Sequence, residues 1–368
     1  QSANVQGRER QPKMAPQDQA LVGPPLSLSC PAGLPQRRAG LREPKPTPSW
    51  RWLRRCAKMG RRYSQSTTTQ AQRTQTKAKT RIAPGRFAPT MRKCLGVALS
   101  LFGFTSTAEP LTYFRSMPLI SYLPTFGGIS AIEMQNPGIR ATVLSDRGAA
   151  FMITLDRTAQ SYVIAAVQQP QPHRDSEGLA QSDRHMFFSY EGPAEVWRAD
   201  KTRLPSHPDF ADYPPNGSLE ALAATPDGTL YALPEQSGGR RQPFPIYRFF
   251  QDGWQIIGRL PRRGPFLPTG ADIGPEGRLY ILERAFSLLG FRSRIRRINL
   301  ENPNAAAETL LTTGPRVHDN LEGLAVWQSH SGATCLTLVS DNNFLAIQRT
   351  EMVEYALTET LAGGARCD

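Results

Sequence analysis

Several things are scarce in this sequence, and each scarcity removes a class of function. The longest apolar run, Cys94 to Phe104, is 11 residues, well short of the roughly 20 a membrane-spanning helix needs. No G-x-S-x-G elbow surrounds Ser145 or Ser340, and neither a P-loop nor a G-x-G-x-x-G turn occurs. A serine-hydrolase triad and a nucleotide-phosphate cradle are therefore not expected. Cysteine is sparse: of five, only Cys335 and Cys367 lie beyond residue 108, and no Cys/His spacing suits zinc. Lysine nearly disappears, with Lys201 alone after Lys93. Amphipathic patterns long enough for a helix of 12 or more residues are missing as well, so the chain is expected to be all-β.

The net charge of +13 is unevenly placed. Residues 1–90 hold 18 Lys or Arg against 3 Asp or Glu, whereas the remainder holds 26 basic and 28 acidic residues. The basic excess lies outside the expected globular part, which excludes nucleic-acid binding by that part. Residues 1–90 are rich in Pro, Gln, Arg and Thr without helical or strand periodicity, so a disordered segment outside the mature protein is expected. Met91-Arg92-Lys93, the apolar run, and Ser106 and Ala108 ahead of Glu109 have the three-part layout of a secretory signal peptide over 91–108. The expected mature protein is 109–368, monomeric, without a transmembrane segment, and periplasmic or secreted. In such a compartment Cys335 and Cys367 either form a bridge that staples the carboxyl terminus or remain as two thiols.

What the chain does contain is a repeat. Val317 to Ala325 (VHDNLEGLA) recurs as His173 to Ala180 and as Asn216 to Ala223, with weaker copies at Thr269 to Ile273 and Phe126 to Ile132. Each copy is followed by a turn and then an apolar run ending in an acid, as in Ala141 to Asp146, Thr229 to Glu235 and Cys335 to Asp341. The anchors Ser130, Glu177, Glu220, Asp272 and Glu322 are spaced by 43 to 52 residues. That period, with short β-rich runs between turns such as Pro226-Asp227-Gly228, predicts a β-propeller of four-stranded blades. Five units are expected, and a sixth blade built from the Pro-rich stretch 204–215 stays open. The last unit has three strands. Leu111 to Met117 is a strand without a partner, so the ring is expected to close by pairing the two chain ends in one blade.

In a propeller, the first strand of each blade lines the channel and the second returns antiparallel beside it. The start of the first and the end of the second then share one rim. This reasoning joins Glu177 with Glu191, Glu220 with Glu235, Asp272 with Glu283, and Glu322 with Asp341, while Asp146 joins from the first blade. About nine carboxylates collect at one mouth, a crowd that calls for cations. Either a divalent metal or the neighbouring Arg147, Arg284 and Arg349 would answer it. Asn320, Asn342 and Asn343 add neutral oxygens, and an all-oxygen set suits Ca²⁺ or Mg²⁺ over zinc. The alternative is that each acid caps a blade turn. His173 and His318 precede Glu177 and Glu322 by four residues each, as candidate bases or ligands or as plain loop histidines.

The combination SDRG (Ser145–Gly148), DSEGLA (Asp175–Ala180), SLEALAATPDGTLYALPE (Ser218–Glu235), ERAFS (Glu283–Ser287), DNLEGLA (Asp319–Ala325) and SDNNF (Ser340–Phe344) resembles the phytase-like, "esterase-like activity of phytase" domain family of exported bacterial proteins. The likeness runs from Gly127 to about Leu357. It implies a β-propeller and a hydrolase; taken with the acidic mouth, the expected activity is metal-dependent hydrolysis of a small ester or phosphoester. Calcium is the expected cation. Glu177, Glu220, Asp272 and Glu322 would be first-choice ligands, with Asp146 and Asp341 second. His318 would act as base and Arg147 or Arg284 as anion clamp. The chain departs from the calcium-dependent propeller phytases in having no lysine-rich cradle, so phosphate would fall to arginines. The rival expectation is a non-catalytic propeller that binds a ligand or protein at the same mouth.

Overall fold

The computed structural model describes residues 110–167 and 174–368. The expected segments 1–90 and 91–108, like His173, lie outside them. The described chain forms a five-bladed β-propeller. Blade 1 contains β2 (Ile129–Gln135), β3 (Arg140–Ser145), β4 (Ala150–Asp156) and β5 (Ser161–Val167), and blade 2 contains β6 (Ser176–Gln181), β7 (Met186–Tyr190) and β8 (Glu195–Arg198). Blade 3 contains β9 (Leu219–Ala224), β10 (Leu230–Pro234), β11 (Phe244–Phe250) and β12 (Gly253–Leu260). Blade 4 contains β13 (Leu267–Ile273), β14 (Leu279–Ser287), β15 (Gly290–Ile298) and β16 (Glu308–Thr312). Blade 5 contains β17 (Asn320–Gln328), β18 (Thr334–Asp341), β19 (Glu351–Leu357) and, on its outer edge, β1 (Leu111–Pro118).

Burial follows from position. Inner β9 is buried at every residue, whereas outer β5 alternates between exposed and half-buried positions. Inner strands face neighbours on both sides and so read as apolar runs, while an edge strand keeps a solvent face. The inter-strand turns use the expected chemistry. Asp227 Oδ1 accepts from Thr229 N at 3.1 Å, and Gly228 takes φ +96° with open space where a Cβ would stand. Only a residue at ease with positive φ closes such a turn without strain.

Ring closure occurs as the sequence implied. β1 pairs antiparallel with β19, from Leu111 opposite Leu357 to Pro118 opposite Glu351. Buried Glu354 on β19 ties the ends together: Arg115 Nε of β1 reaches its Oε2 at 2.5 Å, and Arg157 of blade 1 reaches its Oε1 at 3.0 Å. Arg157 also donates to the Cys367 carbonyl at 3.0 Å and lies 4.4 Å from the centre of the Trp327 ring. Cys335 and Cys367 are joined as a disulfide, which settles the open alternative and holds the carboxyl terminus on blade 5.

Blade 2 has three strands instead of four. The Pro-rich stretch that follows it makes no sixth blade. It forms one bridge, Trp197 to Arg203, and then the short 3-10 turn Pro208–Asp212. Its Phe210 packs 5.1 Å from Tyr247 and 5.5 Å from Trp254 of blade 3, and Trp254 Nε1 donates to the Pro205 carbonyl. Aromatic burial in the neighbouring blade thus replaces the strand pairing that proline disfavours.

Candidate functional site

All five inner strands carry a β-bulge one step from the same mouth. The pairing of inner with second strand slips at Ser130, Glu177, Glu220, Thr269 and Glu322. A bulge adds one unpaired residue and re-aims its side chain, so these five positions form one ring around the channel. The residue after the bulge is Ala131, Gly178, Ala221, Gly270 or Gly323, and small size there is required. A Cβ on Gly270 would come 2.4 Å from the Glu322 carbonyl, and one on Gly323 would come 2.9 Å from Ile132 N. The inner strands approach so closely that the channel below holds only a cavity of about 10 Å³, lined by Ala131, Leu179, Leu222, Thr269, Leu324 and Glu220 among others. That is room for about one water. The mouth is thus a cup above a narrow stretch of channel.

A second ring lies one residue beyond the residue that pairs with the position just before each bulge. Ser145, Tyr190, Pro234 and Glu283 pair with Ile129, Ser176, Leu219 and Pro268 in the first four blades, and Ser340 pairs with Leu321 in the fifth. The next residues are Asp146, Glu191, Glu235, Arg284 and Asp341. Four blades thus place a carboxylate and blade 4 places a guanidinium.

This register corrects the sequence alignment of blade 4. The counterpart of Glu322 is Thr269. Asp272 lies three residues deeper, where its carboxylate accepts from Val326 N at 2.6 Å and Ile273 N at 2.7 Å. Its structural equivalent in blade 1 is Glu133, which accepts from Gln181 N at 2.9 Å. Glu283 is likewise not at the mouth: it is fully buried between Arg294 and Arg296. The geometry thus supplies no support for Asp272 as a partner of the mouth acids.

The mouth acids interact across four blades. Asp175, Glu177 and Glu191 each offer a carboxylate oxygen within 4.8 Å of the others. Burial raises Asp146 to about 7, aided by the charges of Asp175 and Glu322 and opposed by Arg147. Burial also raises Glu191 to about 7, despite backbone N–H bonds from Ser218 at 2.6 Å and Gly217 at 2.5 Å. Glu177 is pushed well up by burial and then by Glu191, Asp175, Glu220 and Glu322, and Glu220 by burial and then Glu235 and Glu191. Asp341 is raised by burial and by Glu322 and Asp146.

Buried Arg284 is the internal reply. It bonds Glu322, Asn320 Oδ1 at 2.8 Å and Glu235 Oε1 at 3.1 Å. Burial works against its charge, yet Glu322, Glu235, Glu220 and Asp341 together hold it above the ordinary arginine value. So engaged, Arg284 organises the ring and is not presented as an open clamp. Arg147 is exposed, 3.4 Å from the centre of the Phe344 ring at the edge of the mouth. Asn342 Oδ1 already accepts from Gly128 N and Phe344 N. His318 is buried and turned to blade 5, its Nε2 2.6 Å from the Tyr355 hydroxyl and its Nδ1 4.0 Å from Glu351. Burial lowers its pKa, and its aromatic and hydrogen-bonding contacts are with Tyr355, so the geometry does not support it as the base.

The donor set fits a hard divalent cation: oxygen only, with several carboxylates. A buried polar atom without a partner points the same way. Thr269 Oγ1, in the bulge ring and lining the cavity beside Glu220, has none among the described residues. Sequence reasoning passed over Thr269 and gave Asp175 no role. Asp175 stands two residues before the Glu177 anchor in the DSEGLA run, a local signal that could have marked it.

A family model described as "Phytase-like: Esterase-like activity of phytase" matches residues 124–344. No curated protein matches the chain. Among solved structures, it is similar to the holo form of the pyranose dehydrogenase PQQ domain from Coprinopsis cinerea, at 11% identity and TM-score 0.36 over 67% of this chain and 97% of that one. It is also similar to the calcium-binding protein regucalcin from Agrobacterium tumefaciens strain C58, at 9% identity and TM-score 0.39 over 67% and 95%. A third is a protein of unknown function from Bacteroides caccae, at 13% identity and TM-score 0.31 over 56% and 69%.

Proposed function

Since the chain belongs to the phytase-like family, we propose that it is a cation-dependent hydrolase of small esters or phosphoesters, exported from the cell, working at the carboxylate cup. The observation that carries this reading is the convergence of Asp175, Glu177 and Glu191 within 4.8 Å, in a cup whose one inward guanidinium at the ring positions belongs to Arg284. A site with so many buried carboxylates and so little compensation is poised to gain by binding positive charge.

Asp175, Glu177 and Glu191 would hold the cation, with Glu220, Glu322 and Asp146 close in the same field. A cation there, calcium by its donor set, would polarise a carbonyl or phosphoryl oxygen and increase the acidity of water. The protein's own groups supply the remainder. Arg147, on the open edge and steadied by Phe344, meets the anionic end of a substrate. Arg284 fixes Glu322 and Glu235 so that their oxygens keep one orientation. Asp146, raised to about 7, can take or return a proton near neutral pH.

The test is calorimetric titration of the full chain with Ca²⁺, followed by hydrolysis of chromogenic esters and phosphoesters with EDTA and with added Ca²⁺. Saturable binding and EDTA-sensitive turnover are expected. Tight binding without turnover on any substrate would leave a ligand-binding propeller, and no binding would defeat the site.

A further inference from the structure

Blade 4 differs from the others in a second respect. Its second strand does not stop at the ring position: β14 continues past Arg284 through Ala285, Phe286 and Ser287, and β15 returns from Gly290. The hairpin therefore overhangs the mouth face, its tip about 13 Å along the strand from Arg284 at roughly 3.3 Å per residue. The two residues at the turn are Leu288 and Leu289, 95% and 68% exposed. Two-residue hairpin turns favour Asn, Asp and Gly, and nothing in the folding of this hairpin calls for leucine. Ser287 completes the turn, its Oγ accepting from Leu289 N at 3.2 Å and bonding the Gly290 carbonyl at 3.2 Å. Phe286 and Phe291, 5.0 Å apart, brace it from below, and Phe286 is itself 42% exposed.

Two arginines that form no ion pair among the described residues flank this apolar tip. Of the five arginines from Arg284 to Ile298, Arg284, Arg294, Arg296 and Arg297 are paired with carboxylates, which leaves Arg292; from Thr312 to His318 the chain carries Arg316 and no acid. Arg316 lies against Gly290, and exposed Val317 follows it. Arg292 stacks 5.4 Å from the Phe266 ring centre and donates to the Thr313 carbonyl at 3.2 Å. A convex apolar tip flanked by two guanidinium groups suits a surface that yields around it and carries anionic groups at its border. A second protein would need a matching pocket and about 800 Å² from each partner, far more than a two-leucine turn offers.

We propose that the tip of the β14–β15 hairpin anchors the protein to an anionic lipid bilayer, with Leu288 and Leu289 entering the acyl boundary and Arg292 and Arg316 meeting the headgroups. This does not depend on the cup being catalytic.

The test uses the full chain and vesicles of phosphatidylglycerol mixed with phosphatidylcholine. Because residues 1–90 are themselves strongly basic, the comparison is between variants that all retain them. Leu288→Ser/Leu289→Ser should weaken vesicle partitioning by about tenfold or more, given the apolar transfer that two leucines contribute. Arg292→Gln/Arg316→Gln should weaken it several-fold on the mixed vesicles and leave pure phosphatidylcholine unaffected. Hydrogen exchange across residues 285–291 should slow when wild-type protein is on vesicles. Equal partitioning of the leucine variant would overturn the proposal. So would unchanged exchange at the tip while the protein is bound, which would assign binding to the basic segment. Concentration-dependent protection of the tip without lipid would also overturn it, in favour of a second copy of the chain.

Discussion

The two depths of the channel contain the same chemical groups under different conditions. Deep in the channel, Glu133 and Asp272 are buried, and each carboxylate accepts a backbone N–H from the next blade, Gln181 N for Glu133 and Val326 N for Asp272, although burial and the Asp272 charge still push the Glu133 carboxyl well up. At the mouth, Glu177 and Glu220 are surrounded chiefly by other carboxylates, with one guanidinium to share. Burial alone therefore does not mark a site. The deep acids link blades by charge-assisted hydrogen bonds. The mouth acids store repulsion that a cation would relieve.

The sharpest way to break this contrast is Arg284→Met. Removing the shared guanidinium leaves Glu235 and Glu322 buried and unpaired, which should cost about 3–5 kcal/mol in EDTA. Part of that loss should return in millimolar Ca²⁺, as read by denaturant melts in both buffers. Asp272→Ala should cost about 2–3 kcal/mol by orphaning two buried N–H groups, and the loss should be equal with and without Ca²⁺. A cation-sensitive Asp272 variant would dissolve the distinction between the two depths.

The pH dependence sharpens it further. Asp146 and Glu191 are raised to about 7, mainly by burial, and so is Asp272. A carboxyl whose folded pKa exceeds its unfolded one binds more protons when folded, so its stabilising contribution is present at low pH and is lost as pH rises through the folded value. In EDTA, stability should therefore fall between about pH 4 and pH 7. With saturating Ca²⁺ the mouth's share of the decline should vanish, because a bound cation keeps those acids ionised, while the share from Asp272 persists. Denaturant midpoints across that range, in both buffers, measure the difference. The smallest effect is expected from Glu177→Gln. Without cation it should be neutral or slightly stabilising, and the stabilisation by Ca²⁺ should shrink by about 1.4 kcal/mol for each tenfold loss in affinity.

The repeat, the blade count near five, the closure of blade 5 by Leu111–Pro118 and the collection of acids at one mouth were legible because strand periodicity and turn chemistry are local. Pro226-Asp227-Gly228 and the alternation in Ser161–Val167 announce themselves within a few residues. Blade 4 was misread by the same local logic. Asp272 matched the motif by residue type, but the bulge that defines the ring falls at Thr269, and a bulge exists only in the pairing of two strands. One extra residue reverses which side chains face the channel, so Arg284 took the ring position and Glu283 turned to Arg294 and Arg296.

By itself, then, the sequence determined the kind of fold and the charge of the mouth, since both follow from residue type and spacing. Which acids meet, that Cys335 and Cys367 bridge, that His318 turns to Tyr355 and that Asp175 joins Glu177 and Glu191 were decided by tertiary structure. Those outcomes depend on register between strands and on blades that meet only when the ring closes, and no window along the chain contains them.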